Sequence, residues 1–199
     1  MMDVSCKELR KRAWNRLADG GYGSSLGVSF LGSVINSAAG IFTSGPIEYG
    51  TGKFYVDQQR GLKPKFETMF DGFSLYGRTF VTGLLKSIFL FLWTLLFFIP
   101  GLIKSFSYAM VQYVMVDFDL SGEEAITKSR ELMNGYKWKL FKLQLSFIGW
   151  ELLALCFTFG IGVIFLAPYE QAAFAEFYAE LLKCHDIYPK DAPAEDITF

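Results

Sequence analysis

The sequence predicts an all-α fold, a polytopic membrane helix bundle of about six membrane segments in three proline-turned hairpins, with short amphipathic cytoplasmic helices. The chain has 199 residues, of which 52% are hydrophobic and 18% aromatic, so it is richer in apolar side chains than a typical soluble domain. Its long apolar stretches are interrupted at Pro46, Pro100 and Pro168, and its basic residues collect between the stretches. These observations together favour membrane hairpins.

The central hairpin, residues 79–118, shows this pattern most clearly. Large apolar residues continue on both sides of Ile99-Pro100-Gly101. A straight helix over 80–118 would be roughly 60 Å long, about twice the thickness of a bilayer's hydrocarbon core. Proline lacks an amide proton and is tolerated in the first turn of a helix. We therefore expect the chain to reverse at Pro100.

The first hairpin is predicted over residues 24–58, with its turn at Ser44-Gly45-Pro46. Its second half carries Glu48, Lys53 and Asp57, and charges inside a membrane are costly unless they face protein or water. This half is therefore either a full span or a partial, interfacial helix.

The third hairpin, residues 140–183, is also too long for one span and should reverse at Ala167-Pro168. When the second and third hairpins are aligned on their prolines, Trp93 and Trp150 come into rough register. This similarity indicates either a degenerate repeat or chance resemblance among apolar helices.

Short amphipathic helices are predicted in the polar segments. In residues 1–19, Ser5 and Glu8 fit a capping box, and the basic amphipathic helix that follows lies either on the membrane surface or in solvent without lipid contact. Ser121 begins a second capping-box match, and the helix after it should end near Asn134-Gly135.

The positions of Lys and Arg predict the orientation. All of them except Lys53, Lys86 and Lys104 fall in the N-terminal, middle and C-terminal polar segments, and none lies in a proline turn. Because cytoplasmic loops carry an excess of basic residues, we expect a multi-pass protein of the cell membrane with both termini in the cytoplasm. Residues 1–185 would form a single integral membrane domain, and 186–199 an acidic cytoplasmic tail.

Ionisable residues inside the apolar stretches are the candidates for a site. Lys86 and Glu151 are the most unusual, because such residues usually face the bundle interior and find a partner, and an ion pair between the two is one interpretation. Glu176, Lys104 and Gln112 lie on polar stripes of the return helices. The predicted ligand-binding residues are therefore Glu151, Glu176, Lys104 and Gln112, lining a polar cavity open to the cytoplasm. The alternative is a hydrogen-bonded seam between helices.

Glu48 and Glu170 each follow a turn proline by two residues. A carboxylate in the first turn of a helix is stabilised by the free amide groups and the helix dipole. That structural role is the main interpretation, and a cation or substrate contact at the outer face is the alternative.

The sequence predicts no enzyme, no catalytic residue, no cofactor and no metal site. Its cysteines show no paired or metal-type spacing, and one histidine cannot build a histidine metal site alone; these residues are Cys6, Cys156, Cys184 and His185. Asp117-Phe118-Asp119 resembles a metal-binding pair, but helix-boundary polarity explains it adequately. Phosphate-binding glycine motifs, the zinc-helix motif and the nucleophile elbow are absent from the sequence.

Three consecutive stretches carry a family resemblance: FFIPGLIKSFSYAMVQYVM, AITKSRELMNGYKWKLFKLQLSFIGW and GIGVIFLAPYEQAAFAEFY. With them the chain resembles an uncharacterised family of bacterial multi-spanning integral membrane proteins. The resemblance implies a multi-helix membrane fold in the bacterial plasma membrane. It implies no activity and supplies no site residues.

The resulting functional prediction is non-enzymatic binding or transport of a ligand, lipid or peptide, through the polar bundle interior. The alternative is a membrane scaffold or regulatory subunit that acts through its cytoplasmic helices, with Lys128, Arg130 and Arg78 at the contact. Membrane lipids are the expected partners, a protein partner or a homo-oligomer is left open, and nucleic acid is not expected because topology explains the basic segments.

Overall fold

A computed structural model describes residues 4–96, 98–158 and 161–187, and this part of the chain is helical with no β-strand. The predicted all-α class is therefore confirmed. The predicted acidic tail, apart from Asp186 and Ile187, lies outside the described residues. The helices are α1 (Cys6–Gly20), α2 (Tyr22–Ala39), α3 (Ile41–Gln59), a 3₁₀ helix (Phe66–Phe70), α4 (Asp71–Ser74), α5 (Tyr76–Leu96), α6 (Phe98–Tyr108), α7 (Val111–Phe118), α8 (Glu123–Leu132), α9 (Lys137–Thr158) and α10 (Ile161–Cys184).

The longer described helices form three antiparallel hairpins. In the first, α2 and α3 are joined by a 2.7 Å hydrogen bond between the hydroxyls of Ser29 and Tyr55. In the second, α5 is followed by α6 and α7, which run back along it. The backbone amide of Gly122, which follows α7, donates a hydrogen bond to Thr82 Oγ1 of α5 at 2.6 Å. The third pairs α9 with α10. A short helix precedes each hairpin: α1, then the 3₁₀ helix with α4, then α8.

Two of the predicted proline turns are wrong. Pro46 lies inside α3 and Pro168 inside α10. The first reversal instead lies at Gly40, whose φ of 58° is readily available to glycine, and α10 begins at Ile161, seven residues before Pro168. An interior proline removes one helix hydrogen bond, and packing against neighbouring helices offsets that loss. Pro100 lies in the first turn of α6, as the sequence predicts.

The buried core lies at one end of the bundle, and exposed apolar residues are prominent at the other. Much of the buried core lies between α1, α7 and α8 and three longer helices, α3, α9 and α10. These longer helices contribute the ends that are far from the reversals. Towards the reversals, large apolar side chains are exposed on all three hairpins, among them Phe30, Phe42, Phe91, Leu92, Leu152 and Phe165. We call these regions the apolar tips. Exposed apolar surface of this extent marks a surface that contacts protein or membrane.

Helix α1 packs mainly along α10. Its residues Leu9, Ala13 and Leu17 are fully buried, whereas Trp14 is 56% exposed. Its start agrees with the predicted cap, because the Ser5 hydroxyl accepts a hydrogen bond from the Glu8 amide at 3.3 Å. The apolar face of the helix therefore contacts protein, and the choice between membrane surface and solvent for the opposite face stays a prediction.

Helix α8 begins after Gly122, and no side-chain cap is present there. The capping box predicted at Ser121 is therefore wrong. The Gly122 amide is satisfied by Thr82 in α5, as described above, so a contact distant in sequence replaces the local cap.

Helices α3 and α5 cross in close contact at glycines. A Cβ atom added to Gly45 would lie 2.1 Å from the backbone oxygen of Thr79, and one added to Gly83 would lie 2.8 Å from the Gly45 Cα. Small residues allow helix backbones to approach in this way. The crossing holds the first and second hairpins together.

Within the described ranges, no single helix is both long and apolar enough to cross a bilayer. Phe66–Ser74 and Tyr76–Trp93 meet that requirement only as a pair, bent by 88°.

Candidate functional site

A polar cavity lies between α2, α3, α7 and α10, with a volume of about 170 Å³. Its polar lining comes from hydroxyl, amide and carboxylate side chains: Ser29, Ser33, Glu48, Thr51, Gln112 and Gln171. Val28, Gly32, Ile47 and Ala167 complete the wall. The cavity therefore offers many hydrogen-bonding groups but little room.

An ion pair stands at one wall of this cavity. Lys86 Nζ of α5 lies 2.6 Å from Glu48 Oε2 of α3, and the Lys86 side chain is 17% exposed. The predicted pair between Lys86 and Glu151 is therefore replaced by one with Glu48. Because Glu48 lies well inside α3, its predicted place in the first turn of a helix is also wrong. The ammonium of Lys86 neutralises it instead.

Hydrogen bonds behind the cavity fix its α2–α3 wall. Gln58 Nε2 donates to Ser25 Oγ at 3.0 Å, and the Ser29–Tyr55 hydroxyl pair lies one turn along. Ser25, Gln58 and Tyr55 are buried. The side chains that face the cavity are thus held by a satisfied polar network, which favours one arrangement.

Of the four predicted ligand-binding residues, Gln112 lines the cavity. Glu176 is 4% exposed, and its Oε1 lies 3.5 Å from Arg16 Nε of α1. Lys104 Nζ stacks 4.5 Å from the centre of the Trp93 ring. The structure does not bring these three residues to one cavity.

Glu151, the fourth predicted residue, lies beside the carboxylate of Glu170 between α9 and α10. Both side chains are half-buried. Glu170, like Glu48, lies well inside its helix, so its predicted location in a first helical turn is wrong. Neither carboxylate is among the residues that line the polar cavity.

A second group of charges fastens α1 to α10. Arg12 Nη1 lies 2.5 Å from Glu180 Oε1, and its Nη2 lies 2.8 Å from Glu8 Oε1 in the same helix as Arg12. Partial burial lowers the pKa of Arg12, but hydrogen bonds and charge from Glu8 and Glu180 outweigh that effect, so the pKa lies above its usual value. Arg16 pairs with Glu176 in the same way. The predicted polar stripe of α10 therefore binds α1.

Each aspartate of Asp117-Phe118-Asp119 has its own arginine. Asp117 Oδ1 lies 2.6 Å from Arg60 Nη2, with side chains 0% and 10% exposed respectively. Asp119 Oδ1 lies 2.7 Å from Arg78 Nη1, and the two side chains are 80% and 38% exposed. Across the described ranges, no cluster of three or more His, Cys, Asp or Glu side chains is arranged to hold a metal.

The residues proposed for a scaffold contact are partly engaged within the chain. Arg78 pairs with Asp119 as described, and Lys128 Nζ lies 3.7 Å from Glu131 Oε2 and 6.0 Å from the centre of the Phe118 ring. Arg130 is exposed.

Sequence reasoning missed most of the cavity, although α3 contained a signal. Glu48, Thr51, Tyr55 and Gln58 recur at spacings of a helix face, and this polar stripe borders the cavity and its supporting network. Of these residues, Glu48 is also one of the three charges, with Lys53 and Asp57, that made this segment the least convincing span.

These observations define an all-helical bundle of three hairpins with attached short helices. Residues 95–185 match the model of a protein family described as a protein of unknown function, DUF975. The match is consistent with the uncharacterised family that the sequence resembles. No curated protein and no solved structure matches the chain.

Proposed function

We propose that this protein resides in the membrane and binds a small polar solute, without catalysis, in the cavity between α2, α3, α7 and α10. The observation that carries the proposal is the cavity itself, whose six polar side chains lie among helices that expose large apolar residues at their tips. Polar groups inside a membrane bundle usually mark a ligand or ion pathway.

The ligand class follows from the charge and volume of the cavity. Glu48 is neutralised by Lys86, so a net-neutral or zwitterionic solute is favoured over a simple cation. A volume of about 170 Å³ is below the roughly 300–1,000 Å³ of pockets for drug-sized ligands. The cavity therefore favours a solute smaller than the lipid or peptide that the sequence suggests.

Membrane residence is supported by the separation of surfaces. Uncharged, exposed aromatic and aliphatic side chains crowd the apolar tips, whereas α1, α8 and the connection after α3 carry most of the basic residues. In the proposed topology the apolar tips lie in the membrane and both termini are cytoplasmic. Retention of the protein in the membrane pellet after an alkaline carbonate wash tests this part.

The ligand site is tested by filling the cavity. A Cβ atom at Gly32 would be 3.5 Å from Ile47 and 3.6 Å from Thr51, which are ordinary contacts with side chains, so a side chain can begin at this position, and Gly32→Leu adds bulk to the cavity. Gly149→Leu is the matched control, because nothing lies within 4 Å of a Cβ atom there. Both changes replace a helical glycine by the same good helix former.

The assay is thermal unfolding of the detergent-purified protein against a panel of amino acids, betaines and polyols. A solute present at 100 times its Kd stabilises the folded state by about 2.7 kcal/mol, which corresponds to roughly 5–11 °C for a chain of this size. We expect a stabilising solute whose effect is lost in Gly32→Leu and kept in Gly149→Leu. The site is refuted if no solute stabilises the wild type, or if Gly32→Leu responds as fully.

A further inference from the structure

An apolar groove separate from the polar cavity runs between α1, the start of α2, and the α9–α10 hairpin. Its volume is about 400 Å³, within the range of sites for organic ligands. Aromatic side chains dominate its lining, which includes Trp14, Tyr22, Trp150, Phe165, Leu166 and Tyr169. No carboxylate is among the described residues that line it.

Basic residues of α1 stand at one end of this groove. Arg10 Nε donates a hydrogen bond to the Tyr169 hydroxyl at 3.2 Å, and the Arg10 guanidinium lies 5.4 Å from the centre of the Phe147 ring. Lys7 and Lys11 are exposed and lie on the same helical stripe as Trp14. No ion pair is found for Arg10, Lys7 or Lys11 among the residues that the structure describes.

The groove leads from these charges towards an apolar tip. Arg12 contacts Glu180, Arg16 contacts Glu176, and the Tyr22 hydroxyl donates to the backbone oxygen of Phe165. Helix α1 is therefore antiparallel to α10, with its basic half beside the end of α10 and its Trp14 half nearer the reversal. One end of the groove is cationic and the other is apolar.

We propose that this groove binds one anionic phospholipid, with an acyl chain along the aromatic lining and the phosphate beside Lys7, Arg10 and Lys11. Each basic side chain near an anionic lipid surface strengthens association about five-fold. Tryptophan and tyrosine favour the membrane–water interface, where headgroup and chain meet. Free phosphate would use the cations but not the apolar groove. The proposal rests on the membrane residence in the proposed function but not on the solute cavity.

Quenching of tryptophan fluorescence by lipids with brominated acyl chains tests the site. In a Trp93→Phe/Trp138→Phe background, the remaining tryptophans, Trp14 and Trp150, both line the groove. The protein is reconstituted into phosphatidylcholine vesicles that contain a minority of phosphatidylglycerol. The brominated component is either phosphatidylglycerol or an equal mole fraction of phosphatidylcholine.

We expect brominated phosphatidylglycerol to quench more strongly than brominated phosphatidylcholine at the same mole fraction. Lys7→Gln/Lys11→Gln should reduce that preference at least about five-fold. Lys63→Gln/Lys65→Gln, which removes two exposed lysines from the connection after α3, should leave it unchanged.

Equal quenching by the two lipids overturns the groove site. So does a preference for brominated phosphatidylglycerol that is unchanged in Lys7→Gln/Lys11→Gln, or that falls as much in Lys63→Gln/Lys65→Gln. Those results leave membrane residence standing if the carbonate wash retains the protein. Release of the protein by the wash, or absence of quenching by either lipid, overturns membrane residence and the groove site together.

Discussion

The ion pair between Arg60 and Asp117 joins the end of the first hairpin to the end of α7 inside the packed core. The two atoms are 2.6 Å apart, and the side chains are 10% and 0% exposed. Replacing Arg60 by Met leaves a buried carboxylate without its cation, which costs about 3–5 kcal/mol in other proteins. For a chain of this length, that corresponds to a fall in Tm of roughly 6–20 °C.

The neighbouring pair supplies a matched control. Arg78 and Asp119 are 2.7 Å apart but 38% and 80% exposed, and exposed pairs contribute about 0.2–1 kcal/mol. Arg78→Met should therefore lower Tm by less than about 4 °C. The double variant Arg60→Met/Asp117→Leu should recover much of the loss, because apolar residues often replace a buried ion pair without penalty.

Thermal unfolding of the three variants in one detergent, followed by circular dichroism, gives the comparison. Burial is the physical reason for the expected difference, since distance and charge type are nearly the same in the two pairs. An Arg60→Met variant as stable as Arg78→Met would refute the reasoning. So would a double variant no more stable than Arg60→Met.

Two further changes test the contacts of α3 with α5. Gly45→Ala should lower the free energy of unfolding by about 1–3 kcal/mol, because its methyl group would lie 2.1 Å from the Thr79 backbone oxygen. Gly77→Ala is the control, since nothing lies within 4 Å of a Cβ atom there. Equal unfolding temperatures of the two variants would contradict the close crossing. Lys86→Met should cost about 1 kcal/mol, because Glu48 loses its partner but, with its side chain 41% exposed, keeps contact with water. Adding Glu48→Gln should restore part of that loss, and an unchanged Tm in the single variant would count against the pair.

The helical class could be predicted because it depends on local pattern. Long apolar stretches separated by basic segments lead to paired helices, and Ser5 caps α1 as its sequence indicates. The turns at Pro46 and Pro168 could not be placed correctly by the same reasoning. A proline is compatible with a helix interior when other contacts hold the helix, and the reversal after Gly40 needed no proline.

The partners of the charged residues could not be predicted, because each pair joins segments far apart in sequence. Lys86 forms an ion pair with Glu48, and Glu176 forms one with Arg16 in the N-terminal helix. Spacing along one helix shows that a charge faces inward, but the neighbouring helix decides whether it meets a cation, a carboxylate or a cavity. Of the predicted ligand-binding residues, Gln112 alone is among those that line the polar cavity.

The polarity of α3 links the proposed membrane residence to the proposed site. Glu48, which with Lys53 and Asp57 weakens α3 as an apolar span, begins a polar stripe that continues with Thr51, Tyr55 and Gln58. Their spacing puts them on one face, and that face meets the cavity, Lys86 and the buried hydroxyls of α2. Elsewhere α3 packs against α5, the 3₁₀ helix and α4. A membrane helix can bear such a stripe only where protein or ligand satisfies it, so Glu48, which argues against α3 as a simple span, also argues for a binding site beside it.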